Sequence, residues 1–160
     1  MGKLAAEVVL TSAIQVAVGI AGFTGIIAAL SGGAKIGARE RISVSILLLA
    51  AIATVTMSFL PMILLNAGVN ERSAWMTSSI IFVAYFVSIV SYRFYEFRRV
   101  GTAMPRPLSL GIAFLGLCAA LQIVNAVLIR DSWPYLVLIV GYVVYSFLVF
   151  AYLLWTLWRQ

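Results

Sequence analysis

The chain has 160 residues, 64% of them hydrophobic and only 10% charged, with a mean hydropathy of +1.10. Soluble domains carry about 25% charged residues, so this composition excludes a soluble fold and leaves room for membrane helices and short loops, not for a separate catalytic or ligand-binding domain. Eleven Lys and Arg against five Asp and Glu give a net charge of +6. The basic residues sit in short loops between apolar runs, where membrane topology puts them; without a basic face interleaved with aromatics, no nucleic acid is expected as a partner.

The first apolar run, Val8 to Leu30, carries no charge. At about 1.5 Å per residue it reaches roughly 35 Å, enough to cross a bilayer with some tilt. It exceeds the apolar core of a cleaved signal peptide, about 7–15 residues, and reads as a mature spanning helix. Glu7, Thr11, Gln15, Gly19, Gly22 and Gly25 fall within about 120° of one helical face. One reading makes Glu7 a carboxylate at the outer mouth of a pathway, with Thr11 and Gln15 deeper on the same wall. The other leaves Glu7 in the headgroup layer at a helix N-terminus and makes the glycines a helix-packing seam.

Ser31, Gly32 and Gly33 can end this helix. In the loop that follows, Lys35, Arg39 and Arg41 outweigh Glu40 by two. The second span runs over 42–65; Pro61 removes a backbone donor and crowds the Met57 carbonyl, which predicts a kink. Thr54, Ser58 and Pro61 share a face. The next loop is neutral, with Glu71 and Arg72. The third span, 75–92, is the shortest and continues as helix through the charged stretch after it, where Arg93 and Glu96 become i,i+3 neighbours. In the third loop Arg93, Arg98, Arg99 and Arg106 outweigh Glu96 by three, and Pro105 and Pro107 stop any helix. The fourth span, 108–129, places Gly111, Cys118, Gln122 and Asn125 within about 60°. Gln122 and Asn125 fit either an interhelical clamp or the wall of a pore or pocket. Asp131 or Ser132 can cap the fifth span, 133–158, with Pro134 in its first turn.

The expected fold is therefore all-α: one membrane domain over 1–160, a polytopic integral membrane helical bundle with five transmembrane helices. The charge bias of loops one and three puts the N-terminus outside and the C-terminus in the cytoplasm. Trp75, Trp133, Trp155, Trp158, Tyr92 and Tyr95 fall near the expected interfaces. The fifth span carries a stripe of Tyr135, Tyr142, Tyr145, Tyr152 and Thr156, and the third a similar one of Ser78, Tyr85, Ser88, Tyr92 and Tyr95. Both read first as packing faces. No internal repeat is visible, and five spans do not divide into two equal inverted halves.

His is absent and Cys118 is the single cysteine. That excludes His-ligated cofactors, His-based triads and a disulfide within one chain, and Cys118 reads as a small packing residue. With no carboxylate pair, nucleophile–base pair or metal-ligand spacing, no catalytic residue, metal or cofactor is expected and the chain does not read as an enzyme. Lys35, Arg39, Arg41, Arg98 and Arg99 can hold anionic lipid headgroups, though topology alone also accounts for them.

The segment IAGFTGIIAAL (Ile20–Leu30), Arg39-Glu40-Arg41, FLPMIL (Phe59–Leu64), Trp75 and WPYL (Trp133–Leu136) together resemble a group of small bacterial polytopic membrane proteins without a functional name. The resemblance implies a bacterial inner-membrane setting and no activity. Two functions fit the residues. The first is a homo-oligomeric, channel-like pore for ions or small solutes lined by the first helix. The second is a non-conducting scaffold or accessory subunit holding a partner membrane protein or lipid, favoured by the absence of a deeply placed charge.

Overall fold

The computed structural model describes residues 3–30, 38–101 and 106–158. Every described regular element is helical: α1 (Lys3–Leu30), α2 (Ala38–Asn66), α3 (Glu71–Val100), α4 (Arg106–Val124) and α5 (Ser132–Trp158), with a π-helical turn at Asn125–Ile129 prolonging α4. All five helices are long and apolar enough to span a membrane. In hydrocarbon the backbone must satisfy its own hydrogen bonds, and uninterrupted helices do so. The outward face of the bundle is correspondingly greasy: Leu110, Leu117, Val127 and Leu128 all stand exposed, as suits helices set in lipid.

Boundaries follow local chemistry. Asn70 caps α3, its Oδ1 accepting the Ser73 N–H at 2.9 Å. The charged stretch after Tyr92 stays helical, as expected, until Gly101 closes α3 in the left-handed region at φ +67°. Pro107 corrects the expectation of a helix stop. It lies in the first turn of α4, where a missing N–H forfeits no intrahelical bond. The π turn ends with the Arg130 N–H on the Asn125 carbonyl at 2.7 Å and Arg130 itself at φ +53°. Asp131 then accepts the Ser132 N–H and starts α5.

α2 remains helical across Pro61 to Asn66. Proline offers no N–H to the Met57 carbonyl; the Tyr135 hydroxyl, from α5, donates to it at 2.8 Å. Tyr135 is fully buried, and its ring lies against Trp75 with centroids 5.8 Å apart. Trp75 is thus a core residue, unlike the interfacial ring expected of it, whereas Trp133, Trp155, Trp158, Tyr92 and Tyr95 are exposed.

α1 packs on α2 and α5 and turns Ala6, Leu10, Ala13, Ala17, Ile20 and Thr24 into the bundle. This three-and-four spacing of mostly small residues makes a close-packing seam. Leu47, Phe82, Leu138 and Ile139 fill the centre. α4 and α5 approach through glycine: a Cβ on Gly111 would stand 2.5 Å from the Tyr145 ring, and one on Gly141 3.3 Å from Cys118 Sγ. Gly111→Ala is therefore expected to destabilise the bundle by about 1–3 kcal/mol through overpacking. Gly116→Ala, whose Cβ would meet nothing within 4 Å, is the matched control. Thermal unfolding of both variants in detergent checks this.

Candidate functional site

The polar stripe of the first span faces away from the bundle. Glu7, Thr11, Gln15, Gly19, Gly22 and Gly25 are all exposed. A Cβ built at any of the three glycines meets nothing within 4 Å, so the glycines are not a packing seam within this chain. α1 is also the most peripheral span, with 22% of its most apolar window buried against 50% for α2 and α5.

Gln122 and Asn125 lie inside, each 0% exposed, in a network that joins three helices. The Ser79 hydroxyl on α3 donates to Gln122 Oε1 at 3.0 Å and accepts from Asn125 Nδ2 at 2.9 Å. Gln122 Nε2 donates to the Pro134 carbonyl at 2.8 Å. Asn125 exchanges two bonds with the Asp131 backbone, both at 3.1 Å. The amides are thus occupied by the chain itself, holding α4 to α3 and to the start of α5.

Two of the cavities have charged side chains in their walls. The first, about 130 Å³, lies where α1, α3 and α5 begin and α2 ends; its polar lining comes from Glu7, Asn66, Glu71 and Ser132, and Trp75 forms part of its wall. Trp75 Nε1, Ser58 Oγ and Ser78 Oγ are buried without a hydrogen-bond partner. This cavity brings Glu7 together with Glu71, a residue that sequence reading left in a neutral loop.

The second cavity, about 40 Å³, lies toward the other end between α2, α3, α4 and α5, and Arg93 lines it. Arg93 is only 4% exposed, a charge buried among the helices that the sequence reading counted with the third loop. Its Nη1 donates to Glu96 in the i,i+3 ion pair the sequence predicts, and its Nη2 donates to Ser45 Oγ at 2.8 Å. Its Nε is buried without a partner. Tyr85, Tyr142 and Tyr145 border the same cavity. Tyr85 reaches the Leu49 carbonyl at 3.5 Å, the outer limit of a hydrogen bond. The tyrosine stripe of α5 thus points inward, while Ser88, Tyr92 and Tyr95 of the α3 stripe are exposed. Arg93 was legible by phase: Phe82, Phe86, Arg93 and Phe97, all buried, fall within about 60° on one face of α3.

Of the anionic-lipid candidates, Arg41, Arg98 and Arg99 are exposed, and Arg98 stacks on Phe94 with its guanidinium carbon 4.7 Å from the ring centroid. Lys35 and the side chain of Arg39 lie outside the described residues. Among the described residues no group of three or more His, Cys, Asp or Glu is placed to hold a metal ion. Comparisons of the chain with protein-family models, with curated proteins and with solved structures find no match.

Proposed function

We propose that the protein is a homo-oligomeric, non-conducting membrane scaffold in which α1 of one copy lies against α1 of a second. The outward face of α1 supports this reading. A carboxamide such as Gln15 gains an interhelical hydrogen bond, about 0.6–2 kcal/mol, when another helix covers it. Gly19, Gly22 and Gly25, open on their outer side, let a second backbone approach closely. Two-fold symmetry would set the two Gln15 amides against each other. The filled centre of the bundle and the occupied amides of Gln122 and Asn125 speak against a pathway within one copy. A partner membrane protein is the other occupant of this face. The proposed setting is a bacterial inner membrane, with the Glu7 end outside and the arginine-rich end in the cytoplasm, as the positive-inside rule implies.

A second reading, a channel-like passage for ions or small solutes between copies and lined by α1, draws on the cavity that Glu7 and Glu71 share. Native mass spectrometry from mild detergent, followed by ion flux in liposomes, separates the two. The scaffold predicts a dimer, and no flux that depends on Glu7 or Gln15. A ring of four or more whose flux falls with Glu7→Gln and Gln15→Leu supports the channel. A monomer contradicts both.

A further inference from the structure

A guanidinium enclosed in a membrane bundle is costly and marks a functional position by default. Arg93 is so enclosed, and its bonds to Glu96 and Ser45 engage two of its three nitrogens while Nε has no partner. The cavity beside it follows α3 from Phe97 past Arg93 to Tyr85, twelve residues or about 18 Å. Its walls are mainly hydrocarbon, from Ile46, Leu49, Ala50 and Val90. Its 40 Å³ admits a few methylene-sized groups, since about 10–15 Å³ takes one water. The polar groups at its border are chiefly donors: the guanidinium, and the hydroxyls of Tyr142 and Tyr145, which make no hydrogen bond among the described residues. A narrow, almost wholly apolar slot with one guanidinium set into its wall matches an acyl chain that carries an acidic group.

We infer that this slot binds an anionic amphiphile, its first carbons among the aliphatic side chains and its oxyanion on Arg93. The oxyanion is a carboxylate if the source is a free fatty acid and a phosphate if it is a lysophospholipid, whose glycerol ester then lies between Arg93 and the chain; a guanidinium recognises both oxyanions. Glu96, whose side chain is 29% exposed, is the carboxylate that neutralises Arg93, and an arriving oxyanion competes with it. The inference does not depend on the scaffold reading.

Competition gives the two members of one ion pair opposite roles. The full chain in neutral detergent is titrated with palmitate, with palmitoyl-lysophosphatidylglycerol and with the uncharged control hexadecanol, and bound states are counted by native mass spectrometry. The expected result is a one-to-one adduct with at least one acidic probe, and hexadecanol binding at least tenfold more weakly. Affinity for that probe falls at least tenfold in Arg93→Gln and rises several-fold in Glu96→Gln. Which acid binds better identifies the source. An ion pair that is only structural weakens binding alike in both variants, and that outcome overturns the inference, as does equal binding of hexadecanol or no adduct with either acid. Ala50→Leu narrows the slot without touching Arg93 and guards against a misfolded Arg93→Gln. It is expected to lower affinity about tenfold while holding or raising the melting temperature, and unchanged affinity in a folded Ala50→Leu contradicts the inference.

Discussion

Asn125→Leu is expected to lower the stability of the bundle by about 2 kcal/mol or more. Leucine has the same branched heavy-atom skeleton as asparagine, with bulkier methyl ends, so the change removes bonds without opening a cavity. Three bonds disappear: Nδ2 to Ser79 Oγ, Nδ2 to the Asp131 carbonyl, and the Asp131 N–H to Oδ1. The Ser79 hydroxyl among their partners is fully buried beside Gln122, and an unpaired polar group in such a place costs more than the bond it loses. The same side chain pins the π turn to the start of α5, so the loss also loosens the α4–α5 connection. Ile123→Val, two residues away on the exposed face, is expected to cost under about 0.5 kcal/mol. Equilibrium unfolding of both variants in mixed micelles measures the difference. Equal stability of Asn125→Leu and wild type contradicts the clamp.

Tyr135→Phe is expected to cost about 1–2 kcal/mol, and the cost should depend on Pro61. The phenol hydroxyl supplies the Met57 carbonyl with the donor that proline cannot. Phenylalanine keeps the ring beside Trp75 and strips only that donor. In a Pro61→Ala background the residue 61 N–H returns to Met57, and the same Tyr135→Phe change should lose at least half of its effect. A double-mutant cycle reads this coupling; strict additivity contradicts the link between the two positions.

Much of this architecture is legible in the sequence because membrane solvation leaves few alternatives. Uninterrupted apolar runs become helices, and Gln122 and Asn125 become visible as soon as they share a face with Gly111. Arg93 is harder to read, because a hydropathy window ends at Tyr92 and treats Arg93, Arg98 and Arg99 as one charged loop. Helical phase separates them: Arg93 follows Phe82 and Phe86 inward, whereas Arg98 and Arg99 are exposed. Trp75 shows the opposite difficulty. An indole at the end of an apolar run fits an interfacial belt equally well, and only the approach of Tyr135 across from α5 makes it core. The direction of the α1 stripe lies beyond any single helix pattern. The Ala6–Leu10–Ala13–Ala17 seam and the Glu7–Gln15–Gly22 stripe are both faces a neighbour can cover, and the packing of α2 and α5 decides which one turns inward.

The most direct test of the account is oxidative cross-linking of single-cysteine variants in native membranes. Cys118, buried between α4 and α5, is first replaced by Ala to clear the background. Cysteines are then introduced singly as Gln15→Cys and Gly22→Cys on the outward face of α1, and as Leu117→Cys on the exposed face of α4. If α1 meets a second copy of itself, the two α1 variants form covalent dimers rapidly and the α4 variant does not. No dimer from either α1 position, or dimers as abundant from Leu117→Cys, contradicts the proposed interface.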